Sequence, residues 1–499
     1  MAAAAAAAAV AVARGGGIGE LRIDVRRHAT YCAATLTLPV GGDAKLRAEY
    51  TSADAQRMTL VYFSVAALDV LGVLGEVVDA AAAAAICDWI YTCQVPRGAR
   101  LLPATTDSSP PLLFRGFDGG SFAGWTGTAP DGTCNTCLSG NVAMSYAAVA
   151  TLLLLGDDLS RLDTAAIAAT LATLQLPDGN VRTHGPGAEA DARFVYSAVV
   201  LATLLRLPRT ALDFDAAARF LAACQAPDGG FGLVPGNEGH GGSTYCAVAA
   251  LALIDTYFPS PAAAAPFAAT PAGALARRWC CWRQRDMGLS DDATLCGAAR
   301  RVALDSLRAS RPVGVASAAA VAAPAPATTA ATSASDSSSG GAVGGAGSAV
   351  PVAAAADAAA TAAGPESDSD SSDGSGDGSD RDDALPPEVR VALAGPGGIT
   401  GRPGKPSDSC YSFWIGGSLA ALGVPVAATF DGASLASFLS SCQFPKGGFG
   451  KDCEAYPDPM HTYYALAGLS LAGHPQLQPI DAALGLSTRA VAAWRAAAT

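Results

Sequence analysis

An all-α fold of paired helices is what this sequence predicts, from a recurring unit and from the helical runs between its copies. In the unit an apolar run ends in glutamine, a Pro/Asp/Gly turn follows, and a second apolar run begins. It occurs as "WIYTCQVPRG" around Gln94, "LATLQLPDGN" around Gln175, "FLAACQAPDGGFG" around Gln225, "RWCCWRQRDMG" around Gln284 and "FLSSCQFPKGGFG" around Gln443. Gln175 and Gln225 are 50 residues apart. The interval from Gln284 to Gln443 returns to about that length once a low-complexity stretch is removed, so the period survives an interruption. The runs between, such as "VAMSYAAVATLLLLG", "RFVYSAVVLATLLRL", "GGSTYCAVAALALI" and "HTYYALAGLSLAG", are rich in Ala and Leu and stop near Gly or Pro. A helix apolar nearly all round is buried on most sides. Paired helices of this kind stack as an open solenoid or close into a barrel, and the repeat alone fits both.

Taken in chain order, "MAAAAAAAAVAVAR" opens a tail over residues 1–24 that is too short and too poor in basic residues for a membrane span or a secretory signal. Residues 25–288 carry the first helical pairs. From Ser317 to Asp383 the chain is Ala, Ser, Gly and Asp with almost no large apolar residue, a composition that cannot bury enough surface to offset chain entropy. We therefore expect a disordered insertion over residues 289–396, tolerated because loop-closure cost grows slowly with length. "DRDD" at 380–383 lies inside it and is expected to be incidental. The helical pattern resumes over residues 397–490.

Charge follows the same division. Of the net charge of −12, the insertion contributes about −8, from fourteen acidic residues against six arginines. The remainder is mildly acidic, with no nucleic-acid footprint. The thirteen cysteines are scattered, which reads as buried or ligating thiols in a reducing, cytoplasmic setting. "CNTC" at 134–137 has half the spacing of a zinc ribbon but no second pair to answer it.

The unusual residues fall at the first turns of apolar helices: His240 in "HGGSTYC", Asp408 and Cys410 in "SDSCYSFW", His461 in "DPMHTYYALAG". Helices running the same way would bring these N-termini to one mouth, where backbone N–H groups favour anions. That clustering favours a ring. Asp408, Cys410 and His461 form an O, S, N donor set of the size a catalytic zinc takes. A helix N-cap at Asp408 and a packed thiol at Cys410 fit the same residues. Arg402, Lys405, Tyr411 and His240 are donors suited to phosphate, and Arg402 and Lys405 equally suit a solvated turn.

These motifs together, with "GRPGKPSDSCYSFW" and "DPMHTYYALAGLSL", resemble the beta subunits of protein prenyltransferases. "SGNVAMSYAAVATLLLLGDDLSRLD" followed by "LQLPDG" is most similar to geranylgeranyltransferase type I. The resemblance implies an alpha-alpha barrel, or toroid, around an apolar funnel, in a heterodimer with a helical alpha subunit. It implies zinc on Asp408, Cys410 and His461, and the diphosphate of geranylgeranyl diphosphate on His240, Arg402, Lys405 and Tyr411. It also implies an isoprenoid and peptide pocket bordered by Arg193, Tyr196, Cys246 and Trp414. Thr59 falls where the farnesyl enzyme has a tryptophan, so a small residue leaves room for another isoprene unit. Lys451 falls where that enzyme has a magnesium-binding aspartate, so no magnesium is expected to be required. Met460 and Phe63 would face the last residue of Cys-a-a-X substrates such as small GTPases, favouring leucine. Tyr464 stands where type I enzymes commonly have phenylalanine, a departure that touches donor selectivity. The competing readings are a Rab-type (type II) beta subunit and a helical barrel used only as a binding scaffold.

Overall fold

The computed structural model describes residues 17–36, 53, 55–95, 99–101, 114–119, 125–128, 134–136, 140–261, 265–284 and 397–497. The expected insertion and the polyalanine start lie outside these residues. In chain order the longer helices begin with α1 (Val25–Thr35), α2 (Arg57–Val70), α3 (Ala80–Thr92), α4 (Val142–Leu154), α5 (Thr164–Leu171), α6 (Ala192–Leu204) and α7 (Phe214–Ala223). They continue with α8 (Gly241–Tyr257), α9 (Pro271–Cys281), α10 (Tyr411–Ala421), α11 (Gly432–Cys442), α12 (Pro459–Leu471) and α13 (Thr488–Ala496).

Even-numbered helices form an inner layer. Every residue of α4 and α6 is buried, which is what their all-round apolar sequences require. Each inner helix packs on the inner helices before and after it, and α12 returns to α2. Six helices thus close a ring, which decides between solenoid and barrel. The odd-numbered helices α1 to α11 lie outside and keep an exposed face. Five of these six are capped by an aspartate, at Asp24, Asp79, Asp163, Asp213 and Asp431, and the sixth by Thr270. Each cap satisfies an N–H that the helix itself leaves without a partner.

The recurring glutamine ties neighbouring pairs together. Gln175 Nε2 donates to Asp213 O at 2.9 Å while Asp213 N donates back to Oε1 at 2.8 Å. Gln284 makes the same reciprocal pair with Asp431, and Gln225 donates to Ala272 O. In each case the end of one outer helix is bound to the start of the next. Gln443 in the last repeat reaches Arg22 O and His28 in the first, so the same device closes the ring. The backbone of each glutamine also bridges a buried apolar residue beyond its turn: Gln175 to Val181, Gln225 to Phe231, Gln443 to Phe449, and Gln284 to Ile399. The segments that end at Gln284 and resume at Gly397 are therefore joined at a turn the repeat already contains.

The expected all-α toroid stands, with burial reaching past the expected boundaries and short strands added to the helices. Leu21 and Ile23 are buried in the core, so the fold begins before residue 25. Val491 and Trp494 in α13 are buried as well, so it runs past residue 490. A small sheet of order β1-β3-β2 joins β1 (Ala99–Leu101), β2 (Trp125–Thr128) and β3 (Cys134–Thr136). The first three residues of "CNTC" are β3, and Cys137 is outside the described residues. A two-stranded hairpin, β4 (Ile480–Asp481) and β5 (Leu486–Ser487), precedes α13.

The inner helices run in one direction. Tyr146, Tyr196 and Tyr245 each sit at the fifth residue of their helices, and Tyr196 Oη meets Tyr245 Oη at 3.1 Å. Tyr62, at the sixth residue of α2, meets Tyr146 at 3.2 Å. Residues at matching heights touch only if the helices are parallel. All their N-termini therefore open on one mouth. The opposite end is covered by the C-terminal segment, where Gln478 N donates to Val70 O, Arg489 to Leu154 O and Trp494 Nε1 to Leu204 O.

Candidate metal centre and aromatic cavity

At the mouth, α10 and α12 are neighbours, and their N-termini bring Asp408, Cys410 and His461 together. One donor atom from each lies within 4.8 Å of the other two, and all three residues are buried. His461 Nε2 is 3.4 Å from Asp408 Oδ1. Asp408 Oδ1 also accepts from Cys410 N at 2.8 Å, but the residue at the cap of α10 is Cys410 and no side chain caps the helix. Ser409 N and Oγ bond Lys451 O and Gly450 O, pinning the Lys451 loop beside the centre.

The other imidazole nitrogen, His461 Nδ1, lies 2.5 Å from Asp458 Oδ2, while Asp458 Oδ1 caps α12 through His461 N. That carboxylate fixes the ring's orientation and leaves Nε2 facing Asp408, the arrangement common behind metal-binding histidines. Asp458 was missed from the sequence.

Electrostatics at the centre favour a cation. Burial and the Asp408 carboxylate push the Cys410 thiol well above its ordinary value. Burial opposes charge on both Asp408 and His461, yet their mutual attraction holds the Asp408 carboxyl low, and Asp458 with Asp408 raises His461. Carboxylate, thiol and imidazole converging in a water-poor place suit a divalent ion of intermediate softness, whose charge would ionise the thiol and displace the imidazole proton.

Next to this cluster, the turn closed by the Thr400 to Ser407 bridge carries Arg402 and Lys405. Gly241 N donates to Gly401 O at 2.8 Å, joining this turn to the start of α8. A Cβ on Gly401 would lie 2.1 Å from Tyr411 Cζ, so only glycine lets the chain pass the ring. Tyr411 Oη in turn sits 2.9 Å from His240 Nε2. The four donors expected for an anion are thus on three adjoining segments. Arg402 Nη1 donates to Glu238 Oε1.

One helical turn deeper lies a small cavity lined mostly by aromatic rings. Trp414 is four residues after Cys410 and Tyr464 three after His461, so helix periodicity points both inward beneath the ligands; their rings meet at 4.2 Å. Of the residues assigned to a pocket from the sequence, Arg193, Tyr196, Cys246, Trp414 and Tyr464 line this cavity. Thr59, Phe63 and Met460 do not. Thr59 is buried in the first turn of α2 and bonds Gln56 O, Phe63 packs behind Tyr464, and Met460 is buried beside His461. Arg193 is held by Asp191, through contacts of 2.6 and 2.9 Å, and by Glu189.

Sequence reasoning named Tyr196 but missed the rest of a ring of tyrosines, formed with Tyr62, Tyr146, Tyr245 and Tyr463. Their hydroxyls donate to successive carbonyls of the β4–β5 tip: Tyr245 to Ala482, Tyr196 to Ala483, Tyr146 to Leu484, and Tyr62 and Tyr463 to Gly485. The tip is thus the cavity's floor. Gly485 adopts φ +65°, and a Cβ there would come within 2.5 Å of Tyr146 Oη.

A closed toroid of paired helices with a donor set at its mouth and an apolar well beneath it defines the class. A family model for the prenyltransferase alpha-alpha toroid domain matches residues 23–486, and the chain belongs to that family. Geranylgeranyl transferase type-1 subunit beta of Arabidopsis thaliana is 25% identical over 439 residues, 88% of this chain and 84% of that protein. Geranylgeranyl transferase type-2 subunit beta of Saccharomyces cerevisiae is 42% identical over 86 residues, 17% of this chain and 26% of that protein. The solved structure of Candida albicans protein geranylgeranyltransferase-I complexed with GGPP matches with a TM-score of 0.60 at 18% identity, covering 96% of this chain and 100% of that chain. Among the described residues no helix is long and apolar enough to cross a membrane.

Proposed function

We propose that this chain is the catalytic beta subunit of a heterodimeric type I protein geranylgeranyltransferase, moving a geranylgeranyl group from its diphosphate to a C-terminal protein cysteine. The observation that carries the reading is the buried Asp408, Cys410, His461 cluster one helical turn above an aromatic cavity. Zinc held by these three residues supplies a Lewis acid that keeps a substrate thiol ionised at neutral pH.

The chain's own residues do the rest. The aromatic cavity takes the apolar chain out of water and leaves its diphosphate end at the mouth. There His240, Arg402, Lys405 and Tyr411 hold the diphosphate and stabilise the charge it gains as the carbon–oxygen bond breaks and the sulfur–carbon bond forms. Lys451, on the loop pinned to Ser409, adds positive charge where a magnesium ion would otherwise serve. Asp458 keeps the His461 ring in its binding orientation. An alpha subunit completes the complex, and the Cys-a-a-X substrate binds beside Arg193 and Trp414, in a cytoplasmic setting.

Co-expression with a prenyltransferase alpha subunit tests the reading. One zinc per heterodimer is expected, with geranylgeranylation of short peptides ending in leucine in preference to serine or methionine, and without added magnesium. A metal-free active complex removes the mechanism. Zinc with no turnover of short Cys-a-a-Leu peptides favours the Rab-type alternative, and zinc-free binding without turnover the scaffold.

A further inference from the structure

Glu238 faces the donors assigned to the diphosphate, although it is an acid. It lies two residues before His240, in the loop that ends in the cap of α8. Its Oε1 accepts from Nη1 of Arg402, 164 residues away in sequence. The hydrogen bond from Arg402, together with that residue's charge and the charges of Lys405 and His240, holds the Glu238 carboxyl below its ordinary range. An ionised carboxylate therefore stands among three of the four donors.

Such a group either competes with an anionic ligand or positions its partner. The geometry favours the second. The contact runs through Nη1 alone, and a guanidinium has five N–H donors fixed in one plane. Anchoring one edge leaves Nε and Nη2 to a ligand and restricts the rotation of a long side chain that is 38% exposed. The anchor is itself built in, because the Glu238 loop and the Arg402 turn are joined by Gly241 N to Gly401 O and by Tyr411 to His240.

We propose that Glu238 is a positioning residue that orients Arg402 toward the diphosphate of the prenyl donor. The inference rests on the diphosphate reading above. Its test uses the chain co-expressed with an alpha subunit, inorganic pyrophosphate as competitor, and KM and kcat for geranylgeranyl diphosphate. Glu238→Ala is expected to weaken pyrophosphate inhibition by about threefold to fivefold, the scale of an exposed ion pair, and to raise the donor KM similarly with kcat retained. Glu238→Gln, which keeps an acceptor oxygen, is expected to stay near wild type. In an Arg402→Ala background, Glu238→Ala should have no further effect.

Tighter pyrophosphate inhibition in Glu238→Ala would make the residue a competitor and overturn the proposal. So would an equal loss in Glu238→Gln, which would assign the effect to charge alone, or no change in either variant. If Arg402→Ala itself leaves pyrophosphate inhibition unchanged, the diphosphate reading fails, and the positioning role with it.

Discussion

The two ends of the inner ring are built from the same six helices, yet they treat polar groups in opposite ways. At the C-terminal end, the last carbonyls of α2, α4 and α6 accept hydrogen bonds from Gln478, Arg489 and Trp494, and five tyrosine hydroxyls inside find the carbonyls of residues 482–485. Orphan helix acceptors and buried hydroxyls find partners there, as stability requires. At the N-terminal mouth, by contrast, a thiol, a carboxylate and an imidazole are buried against each other with their acidities displaced. Burying charge in this way is costly unless a ligand completes it. Stability is concentrated at one end and chemistry at the other.

The largest test of that division is Trp494→Ala at the closed end. The ring is buried, donates to Leu204 O, lies beneath the Arg206 guanidinium at 4.5 Å and meets Tyr257 edge-on. Its removal is expected to cost about 3 to 5 kcal/mol of stability, read as a lowered denaturation midpoint, while the metal content of the folded protein stays unchanged. Metal loss in parallel with the melting shift would show that the two ends act as one.

At the mouth the effect is expected to be smaller and of the opposite kind. Asp458→Ser keeps an oxygen able to cap α12 but removes the carboxylate behind His461 Nδ1. Zinc affinity should fall by about tenfold to a hundredfold, measured by competition with a chelator, with little change in melting of the metal-free protein. An unchanged affinity would mean that packing alone orients the imidazole.

The same contrast governs what the sequence makes legible. The repeat was readable because its glutamines recur with a local signature, and Asp408, Cys410 and His461 because reactive residues stand out in Ala- and Leu-rich helices. The tyrosine ring was not. Tyr62, Tyr146, Tyr245 and Tyr463 are aromatics in apolar runs, indistinguishable from core until the inner ring brings them to one height. Their partners are backbone carbonyls of residues 482–485, which carry no side-chain signal at all. Glu238 in "GNEGHGG" and Asp458 in "DPMH" were visible, but their roles depend on contacts with Arg402 and His461 that only the folded ring creates. The boundaries at residues 25 and 490 followed the extent of the family resemblance, while Leu21 and Ile23 bury themselves before the first long helix and Val491 and Trp494 in a short last one.

The smallest effect is expected at the seam where the last repeat meets the first. Here the acceptor of a backbone N–H is a titratable ring: Gly448 N donates to His28 Nδ1 at 3.0 Å, and His28 Nε2 faces Gln443 Oε1 at 3.0 Å. Only the neutral tautomer with its proton on Nε2 satisfies both. Protonating Nδ1 would set one N–H against another. Burial lowers the His28 value below 6.5, with the Gln443 hydrogen bond and the nearby Asp24 opposing it less strongly; Arg27, paired with Asp24, faces the same seam. Below 6.5 the unfolded chain therefore takes up a proton that the folded chain refuses. Stability falls as pH drops through that window, until the folded value is reached and the loss is complete. The slope from this one proton is no more than about 1.4 kcal/mol for each pH unit crossed. Thermal midpoints measured from neutral pH downward should decline more steeply in the wild type than in His28→Gln, whose side chain cannot titrate. Equal slopes would place the acid sensitivity of the fold elsewhere, and the seam would then be held by Gln443 and its contact with Arg22 in the same way as the others.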